Sequence, residues 1–234
     1  MAEFVLEPLA ASLAVLTPDE RELGCALVEL GGGSTNVAIF HGGKILHTGS
    51  LLVSGRHVTN DIMHGLQVTQ QDAERLKERS GAAWEPLVPE SDVVQLPGTP
   101  GQGARNAHRQ VLAHIIRMRL QETLEFALDE ITRAGYHQRL PAGVILTGGG
   151  AQIPGIVELA REVFAMPIRI GTPGQSLTGL VDSVESPRMA VAAGLTLYGA
   201  KRVVEGSASG LQGRRSQSME KYLGPVKRWL QDFF

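Results

Sequence analysis

A single cysteine, Cys25, stands in 234 residues, so an internal disulfide is excluded and a reducing compartment such as the cytoplasm fits. Cys25 lies in an apolar run and reads as a small buried residue, with a reactive thiol as the alternative. Excess charge of one sign is also missing. A formal net charge of −2 argues against a general nucleic-acid binder. No apolar run approaches the ~20 residues that cross a bilayer, and the N-terminus has no basic stretch ahead of an apolar one. Any membrane contact is therefore expected to be peripheral. A hydrophobic fraction of 43% and a charged fraction of 20% are ordinary for a globular protein and supply a full core in one or two domains.

What is present starts with Leu27-Val28-Glu29-Leu30 and Val37-Ala38-Ile39-Phe40, which flank Gly31-Gly32-Gly33-Ser34-Thr35-Asn36. Apolar, β-branched-rich runs around a glycine cluster read as strand, tight turn, strand. Three glycines allow positive φ and remove every Cβ that would block a ligand. Successive N–H groups in such a turn hold phosphate oxygens, Ser34 and Thr35 add hydroxyl donors, and Glu29 is placed to hold a metal through water. Taken alone, a glycine hairpin that binds nothing is the alternative. It is not a P-loop, because no Gly-Lys-Ser/Thr follows. A second strand, Val144-Ile145-Leu146-Thr147, runs into Gly148-Gly149-Gly150, after which Pro154 is expected to open a helix carrying Ile156, Leu159, Ala160, Val163 and Phe164.

Around these turns the pattern predicts a helix near Pro8, a polar break at Thr17-Pro18-Asp19-Glu20, and strands over Cys25–Leu30, Val37–Phe40 and Lys44–Leu52. Thr59, Asn60 or Asp61 is expected to begin the next helix. Thr69 with Asp72 reads as a cap for a helix over Gln70–Arg79, where Glu74 and Lys77 read as part of a solvated charged face. Residues 82–105 are rich in Pro and Gly, with Val93–Leu96 as their one strand. Arg109–Arg133 is the longest helical pattern, Met166–Gly171 a further strand and Met189–Tyr198 a small-residue helix. Val203–Ser218 reads as a flexible tether.

The tail places Val226, Trp229, Leu230, Phe233 and Phe234 on one helical stripe, flanked by Lys227 and Arg228. So short a helix needs a surface to order against. A basic, aromatic-bearing amphipathic helix on a tether reads as a membrane-surface anchor. Docking on the domain or on another protein is the alternative.

Two glycine turns at strand ends, separated by a helical insert, resemble the actin-like ATPase superfamily. Within it, Leu6-Glu7-Pro8-Leu9-Ala10, Leu16 to Gly24, Gly55 to Ile62, Leu146 to Gly150, Arg169-Ile170-Gly171 and the tail Trp229 to Phe234 are similar to the bacterial cell-division family FtsA. The resemblance runs almost end to end and is weakest at 82–105 and 202–218. It implies an α/β fold, the second lobe of an actin-like ATPase (ribonuclease H-like), with a small inserted subdomain and a tethered C-terminal amphipathic helix. The expected divisions are a hinge segment at 1–23, a lobe core at 24–81 and 136–201, an insert at 82–135, a linker at 202–218 and the amphipathic helix at 219–234.

The same resemblance implies ATP as ligand, with weak use of Mg²⁺. Gly31, Gly32, Gly33, Ser34, Thr35, Glu74, Lys77, Gly148, Gly149 and Gly150 would contact the nucleotide. Glu29 would hold the metal through water, and Glu7 would orient the attacking water; Glu7 also reads simply as a first-turn acid favoured by the helix dipole. The tail residues Val226 to Phe234 would bind an anionic membrane surface. Further implied partners are FtsZ-like filaments, other copies of the chain and other divisome proteins, at the cytoplasmic face of the membrane at the division site, with no nucleic acid. An actin-fold ATPase or phosphotransferase, and a degenerate membrane-binding fragment, are the competing functions.

Two departures matter. The resemblance implies Asp as the usual residue where Glu29 and Asn36 stand. The longer Glu29 displaces a water-bound Mg²⁺ and Asn36 removes a negative charge, so metal-dependent hydrolysis suffers more than phosphate binding by the backbone. The resemblance also implies that the sequence opens at the hinge before the second lobe and supplies one wall of a two-lobed cleft. An ATP-binding adaptor is expected rather than an efficient ATPase.

Overall fold

Strands apolar at nearly every position need cover on both faces. Cys25–Leu30 (β1) and Val144–Thr147 (β6) are of this kind, and every residue of both is buried. The computed structural model describes residues 4–98, 103–176 and 184–210. In it, Thr35–His41 (β2) pairs antiparallel with β1, and Lys44–Leu51 (β3) antiparallel with β2. On the other side β6 runs parallel to β1, and Ile168–Ile170 (β7) parallel to β6. The mixed sheet thus has the order β3-β2-β1-β6-β7. Contacts divide the chain into two compact units, Met1–Thr196 and Leu197–Phe234. The sheet belongs to the first.

Alternation sorts the strand side chains. Ala26, Val28, Leu30, Val37, Ile39, Val144 and Leu146 share one core with Gly55–Leu66 (α3), Gln70–Ser80 (α4), Arg109–Arg133 (α5) and Ile156–Phe164 (α6). The other face is covered by Glu7–Val15 (α1), whose Ala10, Ala11 and Ala14 are buried. Small residues let elements meet closely there. At Gly194, on the helix Ala190–Gly210 (α7), a Cβ would lie 1.8 Å from the Ala10 carbonyl oxygen. Arg169 of β7 clamps the elbow after α1, donating to both Glu20 carboxylate oxygens and, at 2.8 Å, to the Val15 carbonyl. Cys25 is fully buried, and burial, with the nearby Glu20 charge, pushes its thiol up to about 12. A reactive thiol is excluded at neutral pH.

Several expectations are corrected. The polar break at Thr17 is a short helix, Pro18–Leu23 (α2), because Thr17 and Glu20 form a reciprocal capping box. The helix expected from Thr59 begins at Gly55, since its first N–H groups find acceptors in a distant turn. Gly155 in the left-handed region precedes α6, which starts at Ile156 rather than at Pro154. A strand that carries no apolar alternation, Arg105–His108 (β5), pairs with Val93–Leu96 (β4). α7 continues to Gly210 through residues read as tether; Lys201, Arg202 and Glu205 are good helix formers, and a helix already nucleated extends cheaply. In the second unit the Arg202 guanidinium stands 5.7 Å from the Tyr198 ring centre. The remaining tether positions, 211–218, and the anchor residues Val226, Lys227, Arg228, Trp229, Leu230, Phe233 and Phe234 lie outside the described residues. α5, assigned by sequence to the insert, shares the core of the main sheet through Leu120, Leu124, Ala127 and Ile131.

Gly194→Ala should cost about 1–3 kcal/mol by forcing α7 off the α1 backbone, lowering Tm by several degrees. Gly199→Ala, with open space beside it, should leave Tm unchanged or slightly raised. Equal effects of the two in a thermal melt would refute the close approach.

Candidate functional site

The first glycine turn is built by cross-strand pairing. Leu30 pairs with Thr35 and Glu29 with Asn36, and the Gly31 N–H closes the turn on the Ser34 carbonyl at 3.1 Å. None of Gly31, Gly32 and Gly33 has a positive φ, so freedom of φ is not why glycine stands there. The reason is room: a Cβ on Gly32 or Gly33 would meet nothing within 4 Å, which leaves the turn open to a ligand. The turn also starts α3. Gly31 and Gly32 carbonyls accept from the N–H groups of Gly55 (3.0 Å) and Arg56 (3.1 Å), and Ser54 Oγ donates to the Gly32 carbonyl at 2.8 Å. With the Gly31 and Gly32 carbonyls occupied, the amides of Gly32 and Gly33 are among the turn's polar groups left for a ligand. Thr35 is fully buried and its hydroxyl donates to the Val53 carbonyl at 2.8 Å.

The first turn of α3 is tied in turn to α4. Lys77 Nζ donates to the Gly55 carbonyl (3.1 Å), Thr59 Oγ (2.9 Å) and Glu74 Oε2 (2.8 Å). All three ammonium protons have partners, and the Lys77 side chain is only 13% exposed. A solvated charged face is excluded for this lysine. Burial pushes the Glu74 carboxyl up, but hydrogen bonds from Lys77 and Thr59 and the ammonium charge outweigh it and hold it below the usual carboxylate range.

The second glycine turn reaches the same place because β6 lies beside β1. Gly148 has φ +84°, and a Cβ on it would lie 2.6 Å from the Leu30 carbonyl oxygen; both facts require glycine. Its N–H donates to the Pro187 carbonyl at 3.2 Å. Gly149 has open space beside it, like Gly32. Between the two turns is a cleft of about 400 Å³ whose polar side holds Gly31, Gly32, Thr35, Ser54, Glu74 and Lys77. Gly149, Gly150, Ile153, Leu120 and Thr123 also line it, as does the exposed Arg188. Gly33 lines an adjoining hollow with Arg56, Thr59 and Gln71. Ser34 and Gly148 line neither. Volume and mixed lining suit a nucleotide-sized ligand.

Sequence reasoning missed Ser54, Thr59, Thr123, Arg56 and Arg188. Their local patterns are those of ordinary helix or loop positions, and only the meeting of α3, α5 and the Ser186-Pro187 turn with the glycines brings them to the cleft.

Beside the cleft, on the α1 side of β1 and β2, Asn36 Nδ2 donates to Glu7 Oε2 (2.8 Å) and Glu29 Oε2 (3.2 Å). Ser50 Oγ donates to Asn36 Oδ1 at 2.8 Å, and the two carboxylates, which only accept, fix the amide with its NH₂ toward them. Glu7 is the first residue of α1. Burial pushes the Glu29 carboxyl up, the Asn36 bond opposes this and the Glu7 charge adds to it. Among the described residues no group of three or more His, Cys, Asp or Glu is placed to hold a metal ion.

A family model described as cell division protein FtsA matches residues 26–194. Relatives described as cell division protein FtsA are 39% identical over 236 residues in Pseudomonas aeruginosa and 35% identical over 239 residues in Escherichia coli K12. Each alignment covers 99% of this chain and 56% of the relative. The chain thus spans little more than half the length of these curated relatives. Among solved structures, MreB5 of Spiroplasma citri bound to ADP is similar with TM-score 0.62 at 19% identity, over 85% of this chain and 60% of that one. The same protein bound to AMPPNP gives 0.63 at 18%, over 86% and 60%. A PilM-PilN type IV pilus biogenesis complex gives 0.62 at 19%, over 85% and 53%. These likenesses show the actin-like ATPase fold.

Lys77→Met keeps the stem but leaves Gly55, Thr59 and Glu74 without their shared donor, and should cost about 1–2 kcal/mol at pH 7 in urea unfolding. Because the folded Glu74 carboxyl titrates below its unfolded value, its contribution is full above about pH 4.5 and is lost as pH falls through the folded value. The gap between variant and wild type should therefore narrow on acidification below that point. A constant gap down to pH 3 would mean that the ammonium charge is not what holds Glu74.

Proposed function

The chain belongs to the FtsA family of cell division proteins, and from that membership and the cleft we propose that it binds ATP and helps tie FtsZ filaments to the cytoplasmic face of the membrane at the division site. The observation that carries the nucleotide part is the convergence of two open glycine turns and Lys77 on one cleft. The phosphates lie against the amides of Gly32 and Gly33. The base and sugar lie toward Gly149 and Gly150, between the apolar groups of Leu120 and Ile153 and the Glu74–Lys77 pair. ADP and AMPPNP in the MreB5 structures of the same fold support this reading. ATP serves self-assembly rather than turnover in this reading, because Glu29 and Asn36 do not form a metal-holding pair beside the turn.

The division of labour follows the expected segments. The core at 24–81 and 136–201 holds the nucleotide, with Leu120 and Thr123 added from the insert. The insert at 82–135 meets the filament protein, and the helix at 219–234 meets anionic lipid. One short amphipathic helix binds a membrane reversibly, so self-association of the nucleotide-bound lobe strengthens attachment by avidity. Other divisome proteins then gather on the same platform.

Calorimetry of the purified chain with ATP should give micromolar binding, and Gly32→Val should weaken it at least about tenfold, near 1.4 kcal/mol. Because a side chain at Gly32 meets open space, Tm should stay within about 2 °C. Unchanged affinity in that variant would remove the glycine turn from the site, and no binding by either protein would remove the nucleotide reading.

For the tail, Trp229→Asp should abolish flotation with anionic vesicles while circular dichroism and Tm stay those of the wild type. Undiminished flotation would sink the anchor.

A further inference from the structure

Glu29 on β1 and Asn36 on β2 form the cross-strand pair one step beyond Leu30 and Thr35, which flank the phosphate-facing turn, and Glu7 and Ser50 join them from α1 and β3. This is where an actin-like fold leads one to expect Mg²⁺. The donor set of this chain does not fit that ion. Mg²⁺ demands near-octahedral oxygen ligands and keeps several waters. Here the group between the two carboxylates is the NH₂ of Asn36, which gives one N–H to each. An amide nitrogen bearing two protons repels a cation. Turning the amide over would aim an oxygen at the two carboxylates and leave Ser50 facing an N–H in place of its acceptor. Glu29 and Asn36 are buried, at 7% and 6% exposed, Glu7 and Ser50 lie at the exposed edge of the cluster, and both ends of the amide are used.

The positive charge that a polyphosphate needs stands elsewhere. Arg56 follows Gly55 in the first turn of α3, and lines the hollow with Gly32 and Gly33. Its side chain is exposed and makes no hydrogen bond or ion pair among the described residues. A guanidinium presents several donors in a plane that matches phosphate oxygens.

We propose that Asn36 replaces a divalent cation as the bridge between Glu7 and Glu29, so that this cleft takes a nucleoside polyphosphate free of metal, with Arg56 answering its charge. The proposal deepens the nucleotide reading and rests on it for its second and third arms. The first arm, cation binding by the nucleotide-free protein, is independent of it.

In the first arm Mn²⁺, a paramagnetic substitute for Mg²⁺, is titrated against wild type and Asn36→Asp without nucleotide and followed by electron paramagnetic resonance. Wild type should show no saturable site below about 1 mM, a range typical of weak carboxylate sites. Asn36→Asp should gain one, at least tenfold tighter. In the second arm ATP binding to wild type is measured by calorimetry in EDTA and in Mg²⁺, and the two affinities should agree within threefold. In the third, Arg56→Gln should weaken binding in EDTA at least tenfold.

Saturable Mn²⁺ binding by wild type, a tenfold gain in ATP affinity on adding Mg²⁺, or a folded Asn36→Asp protein with no new site would each overturn the proposal. Undiminished ATP binding by Arg56→Gln would overturn the assignment of Arg56. If circular dichroism shows that Asn36→Asp does not fold, the wild-type titrations decide the matter. If ATP binds under no condition, the nucleotide reading fails and the Mn²⁺ arm still decides whether Asn36 excludes the cation.

Discussion

The constraint on which the cleft depends is the passage of Gly148 across the end of β1. A Cβ there would press within 2.6 Å of the Leu30 carbonyl oxygen, and the backbone already holds a positive φ. Parallel pairing of β1 with β6 puts the two glycine turns side by side, and this contact fixes their separation. Any side chain at 148 would push the second turn outward and open the cleft. Gly149 and Gly150 can face Gly31 and Gly32 across a nucleotide-sized gap only because Gly148 has vanished from the packing between them.

From that fixed point the order of construction is visible. The first turn's carbonyls take up the N–H groups at the start of α3, so the helix begins where the turn ends rather than where a local cap stands. α3 offers its Gly55 carbonyl and Thr59 hydroxyl to Lys77 of α4, and Lys77 in turn holds Glu74. One chain of hydrogen bonds runs from β-turn to helix to helix. It orders the polar wall of the cleft before any ligand arrives, and such pre-organisation reduces the cost of binding. α5 adds Leu120 and Thr123 to the lining because its apolar stripe lies across the same sheet face.

The neighbouring cluster shows how one residue type changes the chemistry of a shared fold. Cross-strand pairing of Glu29 with Asn36 is a property of backbone register and would hold for many side chains. With an amide at 36 the buried acid at 29 has a donor beside it and a second acid, Glu7, within reach of the same donor. Membership of the family therefore does not by itself assign the metal chemistry of this member.

Strand order aside, much of the lobe was legible in the residues. The runs of buried apolar groups in β1, β2 and β6, the period of α5 and the Thr69 cap of α4 are local signals, and local physics reads them. Both glycine clusters marked the site for the same reason, since missing side chains are visible in sequence. The route to that reading was partly wrong: none of Gly31, Gly32 and Gly33 has a positive φ; Gly32 and Gly33 serve by leaving space, and Gly31 because a Cβ there would press within 2.7 Å of the Ser34 carbonyl oxygen. What only the tertiary structure decided are the features that depend on residues distant in the chain. They include the start of α3, the existence of β5, the burial of Lys77, and the presence of Arg188 in the cleft lining and of Arg56 in the adjoining hollow. The Asn36 bridge between Glu7 and Glu29 belongs with them. Composition and period determine which faces must be covered; which polar groups meet beneath the cover is set by the pairing of β1 with β6 and by the helices laid across it.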